Sequence, residues 1–255
     1  MAHRPAVPPR PIRAGRCSTV DVMFFEAEDR TSDSPYVARV WRCRSDEVAQ
    51  MTSAADPHLK MVIWEHRGRI HVAVRGAESK ATPCPVPLDA WFLGINFAVG
   101  TTMPHLPPTR LVDDWIEIPD ATRRSFRLAG SSWHLPTYEN AEEFVRRLVS
   151  TGTLVRDPLV ADLALGRSSD LSARTVQRRF RAVTGLTRGA VRQITRATHA
   201  GVLIQEGVAP LEVVHRLRYF DQPHLTRSLV RFVGRTTVQL TNPDPAAPLS
   251  LLYKT

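Results

Sequence analysis

The sequence predicts an α+β protein, a β-rich N-terminal domain followed by an all-helical C-terminal domain. Residues 18–137 hold short apolar runs, one of them alternating with period two, broken by frequent prolines and glycines. From about residue 140 the apolar spacing changes to three and four, with polar caps ahead of the runs. The halves also differ in charge. Residues 172–235 hold twelve arginines and three acids, an excess of nine, which equals the formal net charge of the whole chain, +9. The expected boundaries are a basic tail over 1–17, a β-rich domain over 18–152, a helical domain over 153–240 and a C-terminal tail over 241–255.

Each element has a local reason. Lys60–His66 and Arg69–Arg75 flank Arg67-Gly68, and Ile70, Val72 and Val74 share one face of the second run, which predicts a hairpin. Trp91–Phe97 is a further strand, with Gly94 as a bulge or kink. Prolines 83, 85, 87, 104, 107 and 108 punctuate the connections, and short strands with many turns predict a small sandwich or barrel. Asn140 and Glu143 have the spacing of a capping box, ahead of Phe144, Val145, Leu148 and Val149 at helical intervals, with Gly152 to close the helix. Asp157-Pro158 is an N-cap followed by proline at the first helical position, and that helix runs to about Gly166, where a loop begins. Thr187 caps a long helix over 187–206 with the stripe Ala190, Ile194, Ala197, Gly201 and Ile204. Pro210 starts another, with Val213, Val214 and Leu217 inward, and Asp221 caps a last one.

Composition narrows the class of molecule. At 255 residues and 43% hydrophobic content, one large or two ordinary domains with real cores are expected. No apolar stretch reaches the roughly 18 residues of a membrane span. The basic, proline-rich N-terminus lacks an apolar segment and is expected to be a disordered tail, not a secretory signal. Cys17, Cys43 and Cys84 are odd in number and far apart, which suits neither a disulfide framework nor a metal pair, so a reducing cytoplasm is the expected location. No metal or other cofactor is expected. The nine histidines show no HxH or HExxH spacing, and His58, His66, His71, His105 and His134 read as surface or satisfied core residues. Asp113-Asp114 and Glu142-Glu143 have no nucleophile nearby and read as solvated charge.

The arginine-rich window contains a repeat. Val176-Gln-Arg-Arg-Phe180 followed by Gly185 and Thr187 matches, forty-nine positions later, Leu225-Thr-Arg-Ser-Leu229 followed by Gly234 and Thr236. Each unit reads as a short basic helix with a glycine past its end. Two such helices suggest two contacts on one long polyanion, because surface faces ordinarily mix both signs of charge. Val176 and Phe180 lie four apart and face the core, as do Leu225 and Leu229. Arg174, Gln177 and Arg178 then face outward near one helix start, and Gln222, His224 and Arg227 near the other. Arginine and glutamine bond the edges of guanine and adenine bidentately. Arg181, Arg188, Arg192 and Arg231 suit phosphates, which position a protein without reading sequence.

Residues 172–236 resemble the DNA-binding domain of the AraC family of bacterial transcription regulators. The match lies in Leu171-Ser-Ala-Arg-Thr-Val-Gln-Arg-Arg-Phe-Arg-Ala-Val-Thr-Gly-Leu-Thr187 and in Tyr219-Phe-Asp-Gln-Pro-His-Leu-Thr-Arg-Ser-Leu-Val-Arg-Phe-Val-Gly-Arg-Thr236. The N-terminal part more loosely resembles sensor-type domains attached to such regulators. The resemblance implies two helix-turn-helix units joined by a long helix, and it places base contacts at the six positions just named. The joining helix, 187–206, would be roughly 30 Å long, close to the DNA turn of about 34 Å that separates adjacent major-groove faces. The chain departs from the family pattern at several points. Arg188 and Thr237 stand where proline is common, Val214 replaces a small residue, and Arg218 replaces a turn glycine. The first unit shows one clear helix before Ser172, followed by a loop longer than a tight turn.

The expected function is therefore sequence-specific binding of double-stranded DNA by a regulator that is not an enzyme. RNA polymerase, a second copy of the chain and a small-molecule effector at the N-terminal domain are partners that the residues leave open. Trp41, Trp64, Trp91, Phe92, Trp115 and Trp133 suit an effector pocket or a core equally. The rival class is a DNA-modifying or small-molecule enzyme with an appended helix-turn-helix module. A zinc-dependent repair domain would need about four clustered ligands, and three scattered cysteines argue against it.

Overall fold

Period-two alternation puts Met61, Ile63, Val72, Val74 and Ile95 on one side of a sheet, and that buried row organises the N-terminal half. A computed structural model describes residues 27–45, 50–244 and 248–250. The expected tail over 1–17, and residues 245–247 and 251–255 of the expected C-terminal tail, lie outside the described residues. The strands of this half are β1 (Ala27–Thr31), β2 (Val37–Ser45), β3 (Gln50–Ser53), β4 (Lys60–His66), β5 (Arg69–Arg75), β6 (Thr82–Pro85), β7 (Ala90–Phe97), β8 (Thr101–Thr102), β9 (Trp115–Ile118), β10 (Ser125–Leu128) and β11 (Ser131–His134). Six of them form one antiparallel sheet in the order β1-β2-β7-β4-β5-β9. The β4–β5 hairpin turns at Arg67 and Gly68, both at positive φ, as a two-residue turn between right-twisted strands requires.

Among the described residues the sheet stays open, with β1 and β9 at its edges, and is not the expected sandwich or barrel. The reason lies in what covers its inner face. The β10–β11 hairpin contributes Phe126, Leu128 and Trp133, and helix α1 (Ala141–Ser150) contributes Phe144, Val145 and Leu148. The Phe144 ring stands edge-on to Trp133 with centroids 6.1 Å apart. A helix and a short hairpin thus take the place of a second sheet.

Two sequence expectations are corrected here. Asn140 and Glu143 form no capping box. The Asn140 side chain instead accepts from the Thr137 N–H at 2.8 Å, closing the turn before the helix, and Glu143 pairs with Arg146. Nor is Gly94 a bulge. It sits in unbroken register between Trp41 and Val62, while the irregularity in β2 falls between Val37 and Arg39. A Cβ on Gly94 would come within 1.9 Å of the Trp41 indole, so glycine is there to let the ring lie against the strand. Glu142, expected as a solvated charge, is ion-paired. Arg30 reaches it at 2.7 Å and stacks on Tyr138, fixing α1 to the edge of the sheet.

The helical half runs β12 (Val155–Arg156), α2 (Pro158–Ala164), α3 (Ala173–Thr184), α4 (Arg188–Gln205), α5 (Pro210–Arg216), α6 (Gln222–Phe232), α7 (Thr237–Thr241) and β13 (Leu249–Ser250). The expected caps form. Asp157 accepts from the Val160 N–H, Thr187 from Ala190 and Asp221 from His224. Ile194, Ala197, Gly201 and Ile204 are buried along α4, and around them gather Phe180, Val213, Leu225 and Leu229. The chain is thus of mixed α+β class. The halves are not separate bodies, because Ala55 and Ala77 from the β-rich half belong to the helical core. Leu154 belongs to the first core, and β12 pairs with β8, so the helical core begins only with α2. At the far end β13 runs parallel to β3.

Two measurements check this account. Gly94→Ala should cost about 1–3 kcal/mol in urea unfolding through overpacking, and distinctly less in a Trp41→Ala background, where the indole is gone. Equal costs in both backgrounds would show that the ring does not require the glycine. The Arg30 hydrogen bond holds the Glu142 carboxyl down to about 2, against about 4.3 unfolded. A depressed folded value stabilises above the unfolded one, and that contribution disappears as pH falls through the folded one. Glu142→Gln should therefore be less stable than wild type at neutral pH, with the gap closing by about pH 2.

Candidate nucleic-acid interface

The arginine-rich charge rides on helices whose caps fix where they begin. Ser172 starts α3 by accepting from the Thr175 N–H at 3.3 Å, and Asp221 starts α6 by accepting from His224 at 2.7 Å. Each is followed by a glycine in left-handed backbone, Gly185 at φ +77° and Gly234 at φ +78°. Thr187 and Thr236 then cap the next helix, Thr236 in a reciprocal box with Gln239. The sequence repeat is thus a structural one: basic helix, left-handed glycine, capped helix.

Helical spacing sorts the side chains. Phe180, Leu225 and Leu229 are buried, and Val176 is half-buried against the same core. Arg174, Gln177 and Arg178 are exposed on the first half of α3, and Gln222 and Arg227 are exposed on α6. His224 is held differently. It is half-buried, with its ring edge-on to Tyr219 at 5.3 Å and its Nδ1 accepting from the Phe220 N–H at 3.4 Å. Of the arginines expected at phosphates, Arg181, Arg192 and Arg231 are exposed, whereas Arg188 is half-buried and donates to the Arg167 carbonyl at 3.4 Å. Arg174, Arg178, Arg181, Arg192, Arg227 and Arg231 form no ion pair among the described residues. Arg179 is spent internally, donating at 2.6 Å to the Asp157 that caps α2, and Arg216 pairs with Glu212.

The C-terminal ends of α3 and α6 both abut the β-rich half. A Cβ on Gly185 would lie 2.8 Å from the Pro108 carbonyl, and one on Gly234 would lie 2.7 Å from the Thr52 methyl. The Ala55 N–H donates to the Phe232 carbonyl at 2.7 Å, and the Ala81 N–H donates to the Arg231 carbonyl at 2.9 Å. Carbonyls that a helix end leaves open are thereby satisfied from across the seam. The helix starts, with Arg174 and Gln222, are the ends away from that seam.

A buried charge cluster that the sequence reading missed supports those loops. Lys60, Asp56 and Glu78 are only 8%, 6% and 4% exposed, a burial such charges tolerate only when paired. The Lys60 ammonium lies 2.9 Å from Asp56 and also bonds Glu78. Asn96 donates to Asp56 at 3.2 Å, and Arg75 and Ser53 donate to Glu78 at 3.1 and 2.7 Å. Burial alone would push the Asp56 carboxyl up, but Lys60 and His58 outweigh it and hold the group well below the carboxylate range. Lys60 is raised, its two carboxylates overcoming its own burial. The members come from separate strands and loops, so no local pattern marks them.

The structure also groups Arg192 with residues that were not singled out as contacts. A groove of about 360 Å³ lies between α4 and the turn joining α5 to α6, lined by Arg192, Arg196, His199, Arg216 and Arg218 among others. Arg218 has φ +55°. The sequence carried a signal for it, since a non-glycine residue in left-handed backbone costs about 1–2 kcal/mol. Arg196 stacks 4.3 Å above the Tyr219 ring. Phe220 beside it is 89% exposed, and an aromatic next to a cap gave no warning of that.

The rival chemistries find these residues engaged elsewhere. Burial pushes the Cys43 thiol up to about 12, which leaves it protonated and a weak nucleophile at neutral pH. Asp113 accepts from the Ser79 N–H and hydroxyl, both at 2.6 Å. Trp133 is core, whereas Trp64 stacks on His71 at 4.8 Å and meets Trp115 edge-on at 6.3 Å, so the tryptophans do not all line one pocket. Among the described residues no three histidine, cysteine or acidic side chains gather as a metal site, and no helix is long and apolar enough to cross a membrane. No protein-family model, curated protein or solved structure matches the chain.

Lys60→Met would leave two buried carboxylates facing each other. It should cost about 3–5 kcal/mol in denaturant unfolding and expose the seam to hydrogen exchange at the Ala55 and Ala81 amides. A change within about 0.5 kcal/mol would show that the cluster does not support the loops.

Proposed function

We propose that this chain is a DNA-binding transcription regulator of the AraC type, acting in the cytoplasm by binding and not by catalysis. The observation that carries the reading is the repeat. Two capped helices present exposed arginines without carboxylate partners, and both are anchored at the opposite end. In this reading α3 and α6 are the recognition helices of two helix-turn-helix units, with α5 and the short turn after it completing the second. The first unit is looser, because eight residues separate α2 from α3. Helix α4, 18 residues and therefore about 27 Å long, spaces the units for adjacent major-groove faces, which lie about 34 Å apart.

The roles follow from position. Arg174, Gln177 and Arg178 on one helix and Gln222, His224 and Arg227 on the other read base edges, with His224 reading from a ring already fixed by Tyr219. Arg181, Arg192 and Arg231 hold phosphates, and Arg188 serves from the helix start it shares with the 165–172 loop. The β-rich half is the regulatory domain, held beside the promoter for contact with RNA polymerase, an effector or a second copy.

Binding-site selection on the full chain tests the reading. Arg178→Ala and Arg227→Ala should each relax the selected motif at one or two positions, losing about 1–3 kcal/mol of discrimination. Arg192→Ala should weaken all sequences alike and flatten the salt slope by about one. An unchanged motif in both base-contact variants would remove the assignment, and failure of wild type to bind any duplex would remove the function.

A further inference from the structure

We infer that the groove between α4 and the α5–α6 turn binds a phosphodiester of the DNA backbone midway between the two recognition helices, with Arg218 as its anchor. The inference rests on the DNA-binding reading and adds to the phosphate contact of Arg192 on α4 a groove around it and a new anchor, Arg218, which lies on neither recognition helix.

Two independent observations meet at Arg218. The first is conformational. Its backbone is left-handed at φ +55° in the turn that leads into α6, where glycine would sit without strain. Arginine is the bulky alternative that this chain carries, and strain kept at such a position points to a use for the side chain. The second is electrostatic. Arg192, Arg196 and Arg216 line the same groove as Arg218, with His199 between them. Glu212 offsets Arg216, and no carboxylate pairs with Arg192, Arg196 or Arg218 among the described residues. Like charges gathered this way repel until an anion joins them. One of them is already fixed in place, because the Arg196 guanidinium is stacked on Tyr219.

Position selects the anion. Arg218 stands four residues before Gln222, at the end of α6 that carries the candidate base contacts. The groove borders the middle of α4 and reaches Ala164 at the end of α2, so it lies between the two units. A duplex bridging two adjacent major-groove faces carries its backbone across that interval. Arginine forks match phosphate oxygens bidentately, and an open groove accepts a continuous strand.

The test uses Arg218→Gly and Arg218→Ala in the full chain, with the selected site and a mixed-sequence duplex as probes. Arg218→Gly should raise the thermal midpoint by roughly 2–4 °C as the strain is relieved. It should also weaken both duplexes roughly tenfold and flatten the salt slope by about one, with the selected motif unchanged. Arg218→Ala should weaken binding equally without the thermal gain. Stability and affinity moving in opposite directions in one variant is the outcome that a merely structural arginine would not give. Unchanged affinity and slope in both variants would overturn the groove while leaving the recognition helices standing, and an altered motif would make Arg218 a base reader instead. If excess inorganic phosphate protects wild type and not Arg218→Ala, while duplex affinity is the same in both, the groove serves a small phosphorylated ligand and the proposal falls. If wild type binds no duplex, both readings fall together.

Discussion

The Lys60 ammonium, held between Asp56 and Glu78, is the constraint on which the join between the two halves depends. Its carboxylates sit on the 54–57 and 76–81 segments, which also exchange backbone hydrogen bonds between residues 56 and 78. Those segments present Ala55 and Ala81 to the end of α6 and place Ala55 and Ala77 in the helical core. A buried pair of this kind is weak evidence for net stability, since its desolvation offsets most of its attraction. What it does supply is geometry. With three charges sharing one set of hydrogen bonds, the loops have a single arrangement that leaves none of them unpaired, and the far helix is set by that arrangement.

What could be read from the sequence was local. The hairpin at Arg67-Gly68, the caps at Asp157, Thr187 and Asp221, the stripe along α4 and the buried Leu225 and Leu229 all follow from residues a few positions apart. The misreadings had distant causes. Gly94 looked like a bulge because its true neighbour, Trp41, is 53 residues away. The expected sandwich gave way to an open six-stranded sheet because much of its inner cover comes from α1, beyond the strands that suggested it, with only the short β10–β11 hairpin beside it. At the candidate site, the exposed arginines were visible from spacing and their lack of acidic neighbours. The groove was only half visible, as an arginine where a turn favours glycine, and the Lys60 cluster not at all.

The two helices of the repeat are alike in their ends but not in their attachments. Gly234 and the last turn of α6 meet the β-rich half through backbone hydrogen bonds as well as close packing. Gly185 meets Pro108 and Val112 through close packing. On physical grounds the α6 attachment is the more directional and the α3 attachment the more yielding, because hydrogen bonds fix angle as well as distance. A signal arriving in the β-rich half would then reach the two helices unequally.

The closing strand has a consequence for synthesis. The helical half is tied to the β-rich half at its entry, where β12 pairs with β8, and at its exit, where β13 lies beside β3. The second tie joins Leu249 to Thr52, a separation of almost two hundred residues. At a translation rate of about 5–20 residues per second, the edge of β3 waits on the order of ten to forty seconds for its partner to leave the ribosome. During that interval the nascent chain carries an unpaired strand edge beside a basic helical segment already made. An unpaired strand edge is a template for wrong pairing with other chains, and a chain shortened just before Pro248 would carry it permanently.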